Sequence, residues 1–205
     1  ARAAERGLFD FLLVVEGADG RGPEPLTVLN ALAGVTEHIG LAAAVSTAGR
    51  EPRQLVRRFA ALDQLSAGRA GGPAAVVSRL AAPRSEQSRP VVIQEDADPA
   101  AEVVLAAARG RTRPGVKVLA RFEFTLTGEA DPEASPEDDP AYALADRLDG
   151  PVRSGALDGY VLVPDAAARG RGLDAFVARV VPLLQGRGSL RTAYRGTTLR
   201  DHLGL

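Results

Sequence analysis

The sequence predicts an α/β fold in which parallel strands alternate with helices. Short apolar runs that stop at turn residues alternate, along the 205-residue chain, with segments whose apolar side chains recur every three or four residues. The first pattern is typical of strands buried on both faces, and the second of helices that pack on a sheet. Together they predict βα units with right-handed crossovers. The pattern alone does not decide between an open doubly wound sheet and a barrel.

Each element has its own local signal. Proline in a first turn opens helices at residues 25 and 52. Val28, Leu32, Val35 and Ile39 form the apolar stripe of the first of these helices, which Gly40 is expected to end. The predicted strands span residues 9–15, 41–45, 74–78, 90–94, 116–127 and 159–164. The predicted helices begin at residues 24 and 52 and span 98–109, 141–148 and 172–185, with an acidic loop over 131–139 and a polar tail over 190–205.

Composition excludes several classes of function. The formal net charge of -1 gives no electrostatic reason to expect nucleic acid as a partner. No apolar run is long enough for a membrane span, so no membrane association is expected. The absence of cysteine excludes disulfides and thiol nucleophiles and favours a cytoplasmic location.

Common catalytic motifs are also missing. The glycines at 17, 20 and 22 follow a strand but do not have the G-x-G-x-x-G spacing of a dinucleotide site. No serine lies in a G-x-S-x-G nucleophile elbow. The two histidines are interpreted as structural, His38 at a helix end and His202 on the surface of the tail.

Polar side chains follow the predicted strands, where a parallel βα fold places its ligand site. Glu95, Asp96 and Asp98 also lead into the predicted helix that ends near residue 109, and carboxylates are favoured as caps before a helix. The candidate binding residues at strand ends are Glu16, Ser46, Thr47, Ser78 and Gln94.

Five collinear stretches share one family pattern: FDFLLVVEG at 9–17, EPLTVLNALAGVTEHIGL at 24–41, RFAALDQLSAGRAG at 58–71, PRSEQSRPVVIQ at 83–94 and YRGTTLRDHLGL at 194–205. In these stretches the chain resembles the luciferase-like flavin-dependent monooxygenases, in the branch of the nitrilotriacetate and dibenzothiophene-sulfone enzymes. The resemblance implies a TIM-type (β/α) barrel, FMN at the carboxyl ends of the strands, a separate flavin reductase and a homodimer.

This chain is shorter than such barrels. The resemblance implies one luciferase-like domain over residues 1–205, reduced to about six parallel strands. It lacks the family's first strand, an active-site insertion near 79–83 and one βα unit near 109–115.

The resemblance also assigns the strand-end residues to the flavin. Ser46, Thr47, Ser78 and Gln94 would hydrogen-bond the isoalloxazine or ribityl chain, and Glu16 replaces a family aspartate. Glu95, Asp96 and Asp98 stand where the family has its phosphate loop, and like charge there opposes the phosphate of FMN. Two functions therefore stay open: a flavin-dependent monooxygenase or oxidoreductase with an eroded flavin site, and a cofactor-free paralogue that acts as a binding or partner subunit.

Overall fold

A computed structural model describes residues 1–17, 22–80, 85–95, 98–106, 114–126, 138–165 and 171–205. Within these residues, seven parallel strands form one sheet whose order follows the chain from β1 to β7. An order without reversal is that of a barrel, and the sheet curls into a half-barrel. The predicted barrel-type α/β fold is confirmed, with seven strands where about six were expected. The strands are β1 (Phe11–Val15), β2 (Gly40–Ala44), β3 (Ala70–Gly72), β4 (Val91–Gln94), β5 (Val103–Leu105), β6 (Lys117–Phe124) and β7 (Gly159–Pro164).

Three of the helices begin with the same local device, an acidic residue followed by proline. Carboxylates of Glu24, Glu51 and Asp139 each accept a backbone N–H of the following first turn, at 2.8 Å in all three cases. Proline then fills the first helical position, where a missing N–H costs nothing. The helices are α1 (Arg2–Arg6), α2 (Pro25–Ala33), α3 (Pro52–Leu65), α4 (Ala74–Val77), α5 (Pro140–Arg153), α6 (Arg171–Gly186) and α7 (Leu199–Leu203).

Apolar side chains of the described residues pack around the curled sheet in four clusters, of which three are large. One cluster lies between β1–β3 and helices α2 and α3, with Phe59 fully buried at its centre. Gly72 is required there, because a Cβ at this position would lie 2.3 Å from the Phe59 ring. A second cluster joins β6 and β7 to α5 and α6 around Phe176. The third fills the lumen of the half-barrel, where Leu13 and Ile93 meet Leu199 of α7.

The segment predicted as a polar tail instead packs against the lumen. Thr198 and Asp201 form a capping box at the start of α7, and Leu199 and Leu203 are buried in the luminal cluster. A Cβ on Gly40 would lie 2.5 Å from Leu199, so glycine lets the helix approach the start of β2. The surface position predicted for His202 is wrong, because its side chain is buried beneath this helix.

Two further elements differ from the predictions. Residues 74–78 form the short helix α4 and its cap, because Pro73 ends the extended chain and the strand lies just before it, at β3. The helix predicted over 98–109 is replaced by β5, whose valines Val103 and Val104 pair with β4 and β6. Residues 107–109 lie outside the described part of the chain. A short apolar run fits either structure, and here the neighbouring strands decide.

One buried arginine joins α2, α3 and the starts of β2 and β3. The Arg69 guanidinium is 4% exposed and donates to the carbonyl oxygens of Ile39 at 2.7 Å, Ser66 at 2.8 Å and Thr36 at 3.0 Å. It also donates to the Thr36 hydroxyl and, at 3.4 Å, to the Ala33 carbonyl at the end of α2. All of its bonds go to neutral oxygens, so the side chain acts as a multiple cap for chain ends that would otherwise be buried unpaired.

Replacing this arginine should therefore destabilise the fold strongly. Arg69→Ala leaves several buried carbonyl groups without a donor, and we expect it to lower the free energy of unfolding by roughly 3–5 kcal/mol or to prevent folding. Arg57→Ala is the matched control, because Arg57 lies exposed on α3, and it should change stability by less than about 0.5 kcal/mol. Urea unfolding followed by circular dichroism measures both. Equal effects of the two substitutions would contradict the capping role.

Burial of His202 predicts a pH dependence of stability. Burial and the Arg191 cation, helped by His38, lower the pKa of His202 to about 4, against opposing contributions from the Gly196 backbone and Asp201. Between pH 6.5 and pH 4 the unfolded chain therefore binds a proton that the folded chain does not, and stability falls as the pH falls. Below pH 4 both states are protonated, and above pH 6.5 neither is. The difference corresponds to about 3 kcal/mol.

The test is to compare unfolding free energies at pH 7 and pH 4 for the wild type and for two variants. His202→Gln should lose about 3 kcal/mol of this pH dependence, whatever its stability at pH 7. His38→Gln, at the exposed histidine, should keep most of it. An unchanged pH dependence in His202→Gln would show that His202 is not the group responsible.

Candidate functional site

A cleft of about 820 Å³ opens at the carboxyl ends of the first strands. Parallel strands bring their carboxyl ends to one edge, so residues distant in sequence meet there. We call this the mouth cleft. Its described lining residues are Leu13, Val15, Glu16, Gly17, Ala43, Ala44, Val45, Ser46, Ala48, Arg50, Pro73, Ile93, Gln94, Glu95, Asp98 and Leu105.

Three of the five predicted site residues line the mouth cleft. Glu16 follows β1, Ser46 lies just beyond β2, and Gln94 ends β4. Thr47 is exposed next to Ser46 but is outside the lining. Ser78 is exposed at the end of α4, also outside it, because the strand predicted to lead there is a helix.

The Glu16 carboxylate is the polar link between the ends of β1 and β2. One oxygen accepts the backbone N–H of Ser46 at 3.0 Å, and the other forms an ion pair with Arg50. The Ser46 hydroxyl in turn accepts the backbone N–H of Ala48 at 3.3 Å. These bonds fix the loop over residues 46–50 at the rim of the cleft.

Sequence reasoning missed Arg50, which contributes the one positive charge among the described residues that line the cleft. The signal was present, since an arginine four residues after a strand-end serine can fold back over the strand ends. Glu95 and Asp98 also line the cleft, and the Asp98 carboxylate accepts the Ala100 backbone N–H at 2.6 Å. Asp96, the third predicted carboxylate of this segment, lies outside the described residues.

A second cavity, of about 880 Å³, runs between the two edge strands, and we call it the seam cavity. Residues of both β1 and β7, including Leu12 and Leu162, line it. At its base, Arg191 forms an ion pair with Asp10 and donates to the His202 carbonyl at 3.0 Å. The Tyr194 hydroxyl donates to the Phe9 carbonyl at 2.8 Å. The C-terminal segment is therefore tied to the start of β1, at the end of the half-barrel away from the mouth cleft.

Burial dominates the electrostatics at the base of the seam cavity. It raises the pKa of Asp10, although the Arg191 cation opposes the shift. Burial also raises the pKa of the Tyr194 hydroxyl well above its usual range, with the carboxylate of Glu5 adding to the effect. The base of the cavity is thus a hydrogen-bonded structural cluster, whereas the mouth cleft is open to a ligand.

Metal chemistry and membrane insertion find no support in the described ranges. There, no group of three histidine or acidic side chains stands close enough to share a metal ion. None of the helices in the same part of the chain has the length and hydropathy of a bilayer span.

Residues 1–72 match the luciferase-like monooxygenase family. The dibenzothiophene-sulfone monooxygenase of Rhodococcus erythropolis is 50% identical over 62 residues, which are 30% of this chain and 13% of that protein. Component A of the nitrilotriacetate monooxygenase of Aminobacter aminovorans is 48% identical over 62 residues, again 30% of this chain and 13% of that protein. These matches therefore span a small part of the relatives' length.

Solved structures resemble the whole chain. The EDTA monooxygenase from Chelativorans sp. BNC1 superposes with a TM-score of 0.78 at 17% identity, covering 100% of this chain and 90% of that one. A riboflavin lyase, solved with modified FMN and riboflavin, superposes with a TM-score of 0.69 at 16% identity, covering 100% and 87% of the two chains. At such identities the likeness shows a shared fold. The family match over residues 1–72 and the fold shared along the whole length both support a luciferase-like monooxygenase family member.

Proposed function

We propose that the chain binds a flavin in the mouth cleft and acts as a flavin-dependent oxidoreductase of the monooxygenase type. The observation that carries this proposal is the position of the cleft, which lies at the carboxyl ends of parallel strands and is lined by apolar walls with a few polar groups. A reduced flavin would supply the oxygen chemistry, while the protein binds and orients it.

The isoalloxazine part of a flavin fits the described lining. Leu13, Val15, Ile93 and Leu105 offer apolar surface for a flat aromatic ring, and Val15 is 58% exposed in the open cleft. A buried Val or Leu contributes about 1.5–3 kcal/mol when it is removed from water, so a ring that covers these side chains gains affinity from each. The cleft volume of about 820 Å³ is that of a typical small-molecule site.

Polar residues at the rim would orient the ring. The Ser46 hydroxyl and the Gln94 amide each offer a donor and an acceptor to the polar edge of isoalloxazine or to the ribityl chain. Glu16 would act indirectly, by holding the loop that carries Ser46 and Thr47. Thr47 would contact a ligand at the outer rim, and Ser78 only a ligand that extends beyond the cleft towards α4.

The proposal includes two protein partners, a reductase and a second copy of this chain. One relative is named as component A of a monooxygenase, and by analogy we propose a separate reductase that supplies reduced flavin to this chain. A homodimer and a cytoplasmic location are part of the same proposal. The homodimer would cover the edges of β1 and β7, which end the sheet.

Flavin binding is tested by mixing the purified protein with an excess of riboflavin or FMN, desalting, and recording the visible spectrum together with the melting temperature. We expect flavin absorbance to stay with the protein and the melting temperature to rise, because a ligand of the folded state stabilises it. A colourless protein whose melting temperature does not change with either flavin would reject the proposal.

Substitution at the rim gives a sharper test. Ser46→Ala combined with Gln94→Leu removes two hydrogen-bonding groups and should weaken flavin binding by roughly tenfold or more. Ser154→Ala, at an exposed serine that caps the end of α5, is the control and should leave affinity unchanged. Titration followed by flavin fluorescence measures both. Equal affinities in all three proteins would place the flavin elsewhere.

A second candidate function is a cofactor-free partner subunit. The open edges of β1 and β7 favour it, because unpaired parallel edges call for a covering chain. In that case the protein would stay colourless and sediment as a dimer at micromolar concentration. A colourless monomer would argue against both candidates.

A further inference from the structure

Negative charge dominates the rim of the mouth cleft. Glu16, Glu95 and Asp98 face a single described cation, Arg50, and that cation is already engaged in an ion pair with Glu16. We propose that the cleft selects flavin without its 5′-phosphate, so that riboflavin binds in preference to FMN. This inference rests on the proposed flavin binding and specifies its ligand.

Three of the described backbone donors at or beside this rim are already occupied. Anion sites are built from backbone N–H groups that point at the ligand. At this rim, the Ser46 N–H is bound by the Glu16 carboxylate and the Ala48 N–H by the Ser46 hydroxyl. The Ala100 N–H is bound by the Asp98 carboxylate at 2.6 Å. At these three N–H groups, side-chain oxygens of the protein already accept the hydrogen bonds that an external anion would otherwise accept.

The described residues after β4, 95 and 98–102, include no helix that would favour an anion. Within 98–102 the chain makes a turn, in which the Ala101 N–H donates to the Asp98 carbonyl oxygen at 3.0 Å. A helix beginning at residue 98 would have offered free N–H groups and a positive dipole end. With β5 in its place, the described part of this connection presents carboxylates instead.

Riboflavin fits the carboxylates of the rim better than FMN does, because its chain ends in a hydrogen-bond donor and not in an anion. Its ribityl chain ends in a hydroxyl, which donates hydrogen bonds, and carboxylates are strong acceptors for such donors. A phosphate dianion can only accept, and it would meet Glu95 and Asp98 as like charges. The rim therefore distinguishes the two flavins by charge and by the direction of hydrogen bonding, while the ring contacts are common to both.

The decisive experiment is a paired titration of riboflavin and FMN, oxidised and also reduced under anaerobic conditions. At low salt we expect riboflavin to bind at least about tenfold more tightly than FMN. At about 0.5 M salt the difference between the riboflavin and FMN affinities should become smaller, because screening weakens the repulsion of the phosphate and leaves the ring contacts unchanged. Inorganic phosphate should not compete with riboflavin.

Charge-neutral variants test the assignment to particular residues. Glu95→Gln combined with Asp98→Asn should tighten FMN binding several-fold, because the like charges are removed, and should not tighten riboflavin binding, because an amide oxygen is a weaker acceptor for the ribityl hydroxyl than a carboxylate. The asparagine side-chain oxygen can still accept the Ala100 N–H. Glu37→Gln, the control, removes one negative charge from an exposed residue just before β2, at the opposite end of the strands, and should change neither affinity.

The outcomes separate this inference from the proposed function. FMN binding as tightly as riboflavin or more tightly would overturn the inference and leave flavin binding intact. A gap that does not respond to salt or to the double variant would also overturn it, because the preference would then not be electrostatic. No binding of either flavin would overturn the proposed function and the inference together.

Discussion

The buried guanidinium of Arg69 is the interaction on which the first half of the fold depends. Crossover connections leave helix ends and strand starts close together beneath the sheet, where water cannot satisfy their carbonyl groups. Arg69 supplies donors from one side chain to four such carbonyl groups, three in the α2–β2 connection and one at the end of α3. Glu5 does the opposite for the same turn, since its carboxylate accepts the N–H groups of residues 37, 38 and 39. A cation and an anion thus close both sides of the α2–β2 connection.

Elements in the N-terminal part of the chain were predictable from the sequence because their signals are local. Acidic residues before prolines mark the starts of α2 and α3, and apolar runs mark β1 and β2. These signals are local and need no knowledge of the partners. The same 72 residues carry the family match, which ends at Gly72, where the absence of a side chain admits the Phe59 ring.

Later elements were less predictable because their structure depends on distant contacts. Val103–Leu105 is only three residues long and becomes a strand because β4 and β6 flank it. In the sequence, Leu199 and Leu203 are two apolar residues in a polar segment, and their burial could not be predicted without knowledge of the lumen against which they pack. The capping box at Thr198 was a local sign of that helix, but its burial, and that of His202, follows only from the curl of the sheet.

In the candidate site, too, the features set by strand topology were predictable from the sequence, and those set by particular side-chain contacts were not. Parallel topology alone brought Glu16, Ser46 and Gln94 to one cleft. It did not indicate that Arg50 would neutralise Glu16, nor that Ser78 would end a helix beside the cleft. Both follow from short connections whose conformation is set by one proline or one ion pair.

The short connection between β4 and β5 links the fold to the character of the cleft. Parallel strands are usually joined by a crossover of a dozen residues or more, which gives room for a helix. Here Ile93 pairs with Val103, so β5 starts level with the end of β4 and eight residues suffice for the return. In the described part of this connection, the turn over residues 98–101 is held by the Asp98 carboxylate. A helix N-terminus would present the positive end of its dipole at the strand ends, whereas this turn presents the negative charge of a side chain there.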